Sequence, residues 1–443
     1  MQLRLFRWMI LSVAFVAGNL LSTHMAVAEK GKSVGRVESL ARGKRNERDE
    51  RDERGQRGRR LKHIFIIDME NHNFTQPSSD TKAPNQIFGN PAAPYQNSLI
   101  TPGNPNAVHV SYAGAYHNVL ATPSGNNPSI HPSEPNYIWQ EAGDNFGVLN
   151  DNDPFKNPGG TNQNTTLHLS ALLDKAGIPW KSYQEDIDLA KNANGQLTST
   201  VLPKNQWTVP LTSFSGTSPD YTNPYNGSHQ YNFAAKHDGH LFFTDSNGGN
   251  DPTPANPLAS KYAPLQQLEE DLAHNQLEED LAHNKVASYT LITPDQFNDS
   301  HTALSNGFDY HGVHYTGDQS AIAQGDNFLS QIIPKIMSSA AYKDGGAIVI
   351  WWDETEGTNQ NDFSHTIEEI VISPLAKGNA YESFVNYTHS SDLKSWEELF
   401  DVYAPGGGFL GDANSPNTND LSDLFKEGAL TPKGQRQWTT KDE

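Results

Sequence analysis

Three apolar segments of the 443-residue chain end in side chains that could bind a metal ion. Glu70 and Asn71 follow IFIID at 64–68, and Asp353 and Glu354 follow AIVIWW at 347–352. Asp299 follows SYTLITPD at 288–295. Hard divalent cations bind oxygen ligands, whereas imidazole suits zinc or iron. The pattern therefore predicts a metal site assembled from three strand ends.

Ser133 is the candidate nucleophile. It lies between two prolines in HPSEP at 131–135, ahead of a segment that could form a helix. At a helix N-terminus its hydroxyl would lie where anions bind, and a nearby metal ion could lower its pKa and activate it. The same residues are also typical of a proline-rich turn with a capping serine. Spacing alone favours the turn and leaves both interpretations open.

Apolar strands alternate with amphipathic helices along the body of the chain. The predicted strands are 62–68, 179–186, 285–295, 346–354 and 367–374, and the predicted helices are 165–177, 326–342 and 390–403. The pattern predicts an α/β domain with a mainly parallel central sheet flanked by helices. Two helix ends are also predicted, with Asp326 as an N-cap and Gly177 as a stop. In such sheets ligands bind beyond the carboxyl ends of the strands.

The chain divides into four predicted parts. Residues 1–28 have the basic start, apolar centre and Ala-Val-Ala cleavage site of a secretory signal, so we expect an exported protein. Residues 29–62 hold few apolar side chains and are predicted to be a charged, disordered linker. The catalytic domain is predicted over 63–425, and 426–443 is predicted to be a C-terminal tail.

Composition excludes several classes of protein. The formal net charge is −20, and residues 63–443 carry 17 basic against 45 acidic side chains, so nucleic-acid binding is not expected. The chain has no cysteine, which excludes disulfide scaffolds and cysteine nucleophiles. No apolar run of about 20 residues occurs beyond the N-terminal segment, so no stable membrane span is expected.

A tandem repeat interrupts the body of the chain. QLEEDLAHN at 267–275 is repeated at 276–284. A period of nine is far shorter than that of a solenoid unit. We interpret the repeat as a local duplication that extends a surface helix and has no catalytic role.

An ordered set of motifs resembles one family. The opening Met69-Glu70-Asn71 resembles the "MEN" start of the bacterial and fungal phosphoesterases, which include acid phosphatases and phospholipases C. Further similar segments follow in family order: HPSEPNYI (131–138), AGIPWKSYQED (176–186), AAKHD (234–238), TPDQFNDSH (293–301), QGDNFL (324–329), WWDETEG (351–357), DFSHTIEEIVISPLAKG (362–378) and YTHSSDLKSWEELF (387–400). Each motif is weak, but the ordered set spans about residues 62–403 and is specific.

The resemblance implies an alkaline-phosphatase-like core and assigns residues to it. Ser133 matches the nucleophile, and Asn136 matches a position near the phosphate. The metal positions are matched by Glu70, Asn71, Asp353 and Glu354. Further matches, to a second metal or the phosphoryl group, are Asp299, His301 and His389. The cofactor implied is one or two divalent ions, with Ca, Mg, Mn, Zn and Fe all open.

His365 and His237 are the two remaining histidine candidates. His365 matches the histidine of the family's Asp-His stretch, but Ser364 replaces the preceding aspartate, and Asp362 is an open substitute. Among other loop histidines near the motifs, His237 is the best candidate for a phosphate contact. A surface or supporting role is favoured for each of them.

Three functions follow as hypotheses. The leading one is an acid-phosphatase-type phosphomonoesterase acting through a phosphoseryl intermediate, because the HPSxPNY form is closest to that branch. The acidic body also disfavours docking on anionic lipid. The first alternative is a phospholipase C-like phosphodiesterase acting on a phospholipid head group. The second is a non-catalytic envelope-binding protein, which the presence of Ser133 and Glu70 disfavours. Oligomeric state is not specified by the sequence.

Overall fold

The computed structural model describes residues 60–81, 85–119, 131–154, 161–274, 286–357 and 363–430. The predicted signal segment and nearly all of the predicted linker lie outside these ranges, as do residues 275–284 of the repeat and 431–443. The four-part division of the chain therefore stays a prediction. Within the described residues, Leu61 is buried and its N–H donates to the carbonyl of Ala429 at 2.9 Å.

The described residues contain fourteen strands and seven α-helices, together with short 3₁₀ turns. The strands are β1 His63–Met69, β2 Val110–Ala113, β3 Trp180–Gln184, β4 Leu189–Lys191, β5 Leu197–Val201, β6 Phe214–Thr217, β7 Gln230–Phe233, β8 Tyr262–Pro264, β9 Tyr289–Thr293, β10 Phe308–Tyr310, β11 Val313–Tyr315, β12 Gly346–Trp352, β13 Glu369–Ile372 and β14 Tyr381–Ser383. The helices are α1 Pro94–Leu99, α2 Glu134–Ala142, α3 Leu169–Ala176, α4 Gln266–His274, α5 Asp318–Ser338, α6 Ala340–Lys343 and α7 His389–Phe400.

Eight strands form one sheet in the order β14-β2-β13-β12-β1-β9-β3-β8. Strand β13 runs antiparallel to both of its neighbours, and the other seven strands share one direction. The predicted fold class, an α/β domain with a mainly parallel sheet, is confirmed. The antiparallel direction of β13 was not predicted, because a short buried apolar run such as EIVI carries no sign of its direction.

The centre of the sheet is β1, which pairs with β12 on one side and β9 on the other. All seven residues of β1 and all seven of β12 are buried. Their continuous apolar sequences suit strands covered on both faces. Because the register pairs Met69 with Trp352, the residues that follow these two strands emerge side by side.

The flanking helices agree with the sequence patterns, with one correction. Helix α3 ends at Gly177, which has the left-handed φ of 68° that favours glycine. Helix α7 buries Leu393, Trp396 and Leu399. The prediction that Asp326 is the N-cap of its helix is wrong, because α5 begins eight residues earlier, at Asp318.

Asp326 caps a different helix instead. Its carboxylate accepts from the backbone N–H groups of Tyr95 at 2.9 Å and Gln96 at 2.8 Å, in the first turn of α1. An aspartate beside a helix-forming run indicates a cap but does not show which helix it caps.

The polar regions 78–165 and 195–265 contain short elements of their own. Strands β6 and β7 form an antiparallel pair, and β5 pairs with β4, which lies just before the second region. Helix α2, which follows Ser133, also lies here. None of the helices in the described ranges has the length and apolar character needed to cross a bilayer.

Candidate active site

Two strand ends bring four candidate ligands together at the carboxyl edge of the sheet. Glu70 and Asn71 follow β1, and Asp353 and Glu354 follow β12. The N–H of Asp353 donates to the carbonyl of Met69 at 3.3 Å, and the N–H of Asn71 donates to Oδ1 of Asp353 at 3.1 Å. The sheet register thus continues into the loops. We call Glu70, Asn71, Asp353 and Glu354 the oxygen cluster.

Ser133 faces the oxygen cluster from the start of α2. Its Oγ lies 3.0 Å from Oε2 of Glu70, 3.3 Å from Oδ1 of Asn71 and 3.4 Å from Oε1 of Glu354. Although it occupies the N-cap position, its side chain makes no capping hydrogen bond. The geometry therefore separates the two interpretations of this serine, since the hydroxyl points at the carboxylates rather than at the helix backbone.

Asp151 provides the cap that Ser133 does not. Its Oδ1 accepts from the N–H of Glu134, the first residue of α2, at 3.2 Å. Its Oδ2 lies 2.5 Å from Nζ of Lys236. A carboxylate is favourable at this end of a helix, because the unpaired N–H groups and the helix dipole are both positive there. The Ser133 hydroxyl is thereby left for other contacts.

The geometry around Asn71 fits a divalent cation. The amide atom of Asn71 that faces the carboxylates lies 2.8 Å from Oε2 of Glu70, 3.1 Å from Oδ2 of Asp353 and 3.2 Å from Oε1 of Glu354, and hydrogen bonding within the protein alone favours the nitrogen in this place. An amide nitrogen in this place would donate to the carboxylates, whereas an oxygen completes a set of hard cation ligands. Asn71 has a positive φ of 49°, which turns the chain sharply after β1. The amide is therefore held against the carboxylates by the backbone.

The carboxylates of the cluster carry more negative charge than their protein neighbours neutralise. Burial raises the pKa of Glu70 to about 7, and the charge of Lys236 opposes this rise only in part. Burial, and then the charges of Glu70 and Glu354, raise the pKa of Asp353 well above its usual value. Burial and the charge of Glu70 do the same to the pKa of Glu354. A bound cation would favour the ionised forms of all three.

A second group of ligand atoms lies on the other side of Glu70. Nε2 of His237 is 3.0 Å from Oε1 of Glu70, and its Nδ1 is 3.5 Å from Oδ2 of Asp299. Both ring nitrogens, and Oδ2 of Asp299, are buried without a hydrogen bond among the described residues. Burial, then Lys236 and His301, lower the pKa of His237, so its ring is neutral and offers a lone pair. These orphaned atoms fit a second cation.

His237 is the functional candidate that sequence reasoning weighted too low. It lies in the 3₁₀ turn Ala235–His237, and its ring stacks on Tyr137 with centroids 5.1 Å apart. Tyr137 in turn donates to Oε1 of Glu70 at 2.7 Å. The only sequence signal was the short Ala-Ala-Lys-His segment, which by itself indicates nothing about burial.

The remaining predicted site residues take different positions. Nδ2 of Asn136 donates to Oε2 of Glu354 at 2.7 Å, so Asn136 lies at the cluster. His301 is exposed, with its ring centroid 6.4 Å from that of His237. Its N–H donates to Oδ1 of Asp299 at 2.8 Å. His301 thus lies at the solvent-facing side of the second group.

His389 lies behind the oxygen cluster. Its Nε2 is 2.5 Å from the carbonyl of Asp353, and its Nδ1 is 2.8 Å from the hydroxyl of Tyr116. Burial lowers the pKa of His389 to about 4. With both ring nitrogens engaged, this histidine orients the backbone of Asp353 and offers no free nitrogen to a substrate.

His365 is likewise engaged with the protein. Its Nε2 is 2.9 Å from Oδ2 of Asp80, and its Nδ1 is 3.0 Å from Oγ of Ser364. Asp80 therefore supplies the carboxylate that the sequence lacks just before His365. Asp362, the substitute considered from the sequence, lies outside the described residues.

A further acidic group, Glu185, Asp186 and Asp295, is buried beside the Asp299 loop. Its oxygens are occupied by hydrogen bonds within the protein. Both oxygens of Glu185 accept from Nδ2 of Asn298, at 2.8 and 3.0 Å, and Asp295 accepts from the N–H groups of Phe297 and Asn298 at 3.0 and 2.9 Å. This group fixes the loop that carries Asp299.

The fold and the site define an α/β protein with a serine directed at a set of buried carboxylates that could bind a cation. A model of the Phosphoesterase family matches residues 126–403, more than half of the chain. The chain therefore belongs to the Phosphoesterase family, and membership supports a hydrolase of phosphoric ester bonds. No curated protein matches the sequence.

Solved structures with a similar fold share little sequence with this chain. A protein of the alkaline phosphatase superfamily from Vibrio parahaemolyticus is 10% identical with a TM-score of 0.35, over 74% of this chain and 64% of that chain. The lipoteichoic acid synthase LtaP of Listeria monocytogenes is 11% identical with a TM-score of 0.39, over 81% and 79%. The phosphonate monoester hydrolase of Agrobacterium radiobacter is 10% identical with a TM-score of 0.39, over 85% and 79%. The chain thus spans less than two thirds of the Vibrio protein, and similarities this weak do not bear on activity.

Proposed function

We propose that the protein is a metal-dependent phosphomonoesterase that acts through a phosphoseryl intermediate. The observation that supports this most directly is the position of Ser133, whose hydroxyl leaves the helix cap to Asp151 and lies 3.0 Å from Glu70. Membership of the Phosphoesterase family supplies the substrate class, a small-molecule phosphate ester.

The chemistry begins with the hydroxyl of Ser133. Its oxygen attacks phosphorus in line with the leaving group, and its proton passes to the carboxylate of Glu70, with which it is hydrogen-bonded. The oxygen cluster would hold one divalent ion, and His237 with Asp299 a second. When bound, these ions neutralise negative charge on the transferring phosphoryl group. Asn136, anchored on Glu354, supplies a neutral amide at the same place.

The leaving group departs on the side of His301. The P–O bond to the alcohol breaks, and the alcohol oxygen takes a proton from His301 as it leaves. We assign this role to His301 because its ring is exposed, whereas His389 and His365 are buried and engaged with the protein. A water molecule then attacks phosphorus and gives a proton to His301, and the Ser133 oxygen leaves and takes back its proton from Glu70. The products are the alcohol and inorganic phosphate.

We further propose that the protein is exported. The proposal depends on the secretory-signal pattern of residues 1–28 and its cleavage site after Ala28. N-terminal sequencing of protein recovered from outside the cytoplasm should begin at Glu29. Recovery of the full-length chain from the cytoplasm alone would contradict export.

The test of the activity is steady-state hydrolysis of p-nitrophenyl phosphate between pH 4 and 9. We expect turnover that is abolished by EDTA, restored by divalent metal, and lost in Ser133→Ala. Ser390→Ala is the matched control, because Ser390 also lies at a helix start but its Oγ donates to Asp412 at 2.8 Å. Hydrolysis of p-nitrophenyl phosphorylcholine alone would instead identify a phosphodiesterase. Metal-loaded, folded protein that hydrolyses neither ester would contradict the proposal.

A further inference from the structure

The body of the chain has no arginine. Between residues 61 and 435 every basic side chain is a lysine or a histidine. Arginine is the side chain that most often binds phosphate, because its planar fork makes two parallel hydrogen bonds. Any side-chain cation that binds a phosphoryl group in this domain must therefore be a lysine or a protonated histidine.

Lys236 is adjacent in the chain to a residue of the candidate site. It precedes His237 in the 3₁₀ turn Ala235–His237, and Nε2 of His237 is 3.0 Å from Oε1 of Glu70. Only 16% of the Lys236 side chain is exposed. Its charge acts on three carboxylates of the site, those of Glu70, Glu354 and Asp299. It is therefore close enough to contribute to the electrostatic field in which a substrate phosphate would bind.

The ammonium group of Lys236 is held by one ion pair and has further N–H donors for a ligand. Its Nζ makes one hydrogen bond among the described residues, to Oδ2 of Asp151 at 2.5 Å. An ammonium group has three N–H donors. Asp151 is also the carboxylate that caps the helix following Ser133, through the N–H of Glu134 at 3.2 Å. One residue therefore fixes both the nucleophile's helix and the lysine.

We propose that Lys236 donates to a non-bridging phosphoryl oxygen of the substrate and selects dianionic monoesters over monoanionic diesters. This inference rests on the proposed phosphoesterase activity. A monoester has a second ionisable oxygen and carries about two negative charges at neutral pH, whereas a diester carries one. Because attraction to a fixed cation scales with the charge on the ligand, removal of the lysine costs the dianion more.

The test compares three variants on two substrates. Lys236→Met removes the charge and keeps most of the side-chain volume, and Lys236→Arg keeps the charge. Lys261→Met is the matched control, because Lys261 forms a Lys–Asp pair of the same length, 2.5 Å, with Asp174. Lys261 directly precedes β8, so it lies at the amino end of that strand, away from the carboxyl edge that carries the candidate site. The substrates are p-nitrophenyl phosphate and bis-p-nitrophenyl phosphate at pH 7.5. Thermal melting confirms that each variant is folded.

In Lys236→Met we expect kcat/KM for the monoester to fall about tenfold to a hundredfold, as for loss of a hydrogen bond to a charged group. The kcat/KM for the diester should change less than about threefold, because its single negative charge is attracted less strongly to the lysine. Lys236→Arg should retain most of the monoester activity, and Lys261→Met should match the wild type. An equal fall for both esters would overturn the selectivity, and no fall for either would overturn the contact.

Binding of inorganic phosphate separates this inference from the proposed function. Calorimetric titration of metal-loaded Ser133→Ala should give a phosphate Kd about tenfold lower than that of Ser133→Ala with Lys236→Met. This measurement needs no turnover. If the wild type hydrolyses no ester but the two affinities still differ, the proposed function fails and the phosphate contact stands. Equal affinities, or no phosphate binding by either protein, would overturn the contact.

Discussion

The Oγ atom of Ser133 lies 3.0 Å from Oε2 of Glu70, a residue 63 positions earlier in the chain. The serine belongs to a helix start and the glutamate to a strand end, so the contact depends on the docking of α2 at the carboxyl edge of the sheet. Glu70 is also contacted by Tyr137 and His237. This carboxylate therefore joins the proposed nucleophile to both groups of candidate metal ligands.

Because Ser133 does not cap α2, its loss should affect activity and not stability. Ser133→Ala removes a buried hydroxyl but no helix cap, so it should lose less stability in urea unfolding than a variant that removes a cap. The comparison is Ser339→Ala, since Ser339 caps α6 by accepting from the N–H of Tyr342 at 3.2 Å. That variant should lose about 1 kcal/mol of stability and keep its activity. The opposite pattern would show that Ser133 is a structural cap.

The role of Asp151 gives a second prediction. Asp151→Ala removes the acceptor for the N–H of Glu134 and should lower the free energy of unfolding by about 1 kcal/mol. It also releases Lys236, so kcat/KM for p-nitrophenyl phosphate should fall on the order of tenfold. Asp151→Asn keeps an oxygen acceptor for the N–H of Glu134 but loses the ion pair with Lys236. Relative to Asp151→Ala, it should therefore restore more of the stability than of the activity. Urea unfolding and steady-state kinetics measure the two effects. Equal recovery of both would contradict a separate role for the ion pair.

Much of the centre of the site could be predicted from local sequence. Glu70, Asn71, Asp353 and Glu354 each follow a strongly apolar strand, and parallel strands place their ends at one edge. The period and length of such strands are local properties. This explains why β1 and β12 were predicted to within two residues of their observed ends.

Other parts of the site depend on contacts between distant segments. Asp80 meets His365 across 285 residues, and Asp151 meets Lys236 across 85. Nothing local distinguishes these aspartates from exposed ones. The burial of His237 and the engagement of His389 likewise follow from packing rather than from spacing, and so does the capping of α1 by Asp326.

The oxygen cluster predicts a pH-dependent effect of metal on stability. Without a cation, Glu70, Asp353 and Glu354 have raised pKa values in the folded state. A raised carboxyl pKa contributes stability at low pH, and this stability is lost as the pH rises through the folded pKa, here about 7 for Glu70. Metal binding should offset the loss. Addition of excess Mn²⁺ or Ca²⁺ to the EDTA-treated protein should therefore raise Tm more at pH 8 than at pH 5.

Two variants make the metal prediction specific. Asp353→Asn should reduce the metal-induced rise in Tm at pH 8 by more than half, because it removes a charged ligand from the cluster. Asp309→Asn is the control, since Asp309 is an exposed carboxylate paired with the exposed His314. A rise of equal size at both pH values, or one that Asp353→Asn leaves unchanged, would contradict binding at the cluster.

A buried ion network links the helix of Ser133 to the segment of His237. Glu141 of α2 lies 3.6 Å from Nδ1 of His168 and 3.4 Å from Nε2 of His240. Burial alone would lower the pKa of His168, but Asp245 and Glu141 raise it overall. Burial alone would also lower the pKa of His240, but Glu141 and Asp238 raise it overall. Burial would raise the pKa of Glu141, but the two histidines lower it to about 2.

These shifts set the pH range in which the network stabilises the fold. The contribution of the histidines is complete below their ordinary pKa of 6.5 and is lost as the pH rises through their raised folded values. That of Glu141 is complete above its ordinary value of 4.5 and is lost as the pH falls towards 2. The network should therefore stabilise the protein most between these two ordinary values.

Glu141→Gln should reveal this dependence. At pH 6 we expect it to lower the free energy of unfolding by about 3 kcal/mol, as for a buried pair that loses one partner. As the pH rises through their raised folded pKa values, the histidines become neutral and the wild type itself buries an unpaired carboxylate. The difference between the two proteins should therefore shrink between pH 6 and pH 9. Glu269→Gln serves as the control, because Glu269 pairs with a surface lysine, Lys335, and not with a buried histidine. Urea unfolding at constant metal concentration measures each difference. A Glu141→Gln difference that is the same at pH 6 and pH 9 would contradict a titration of the two histidines in this pH range.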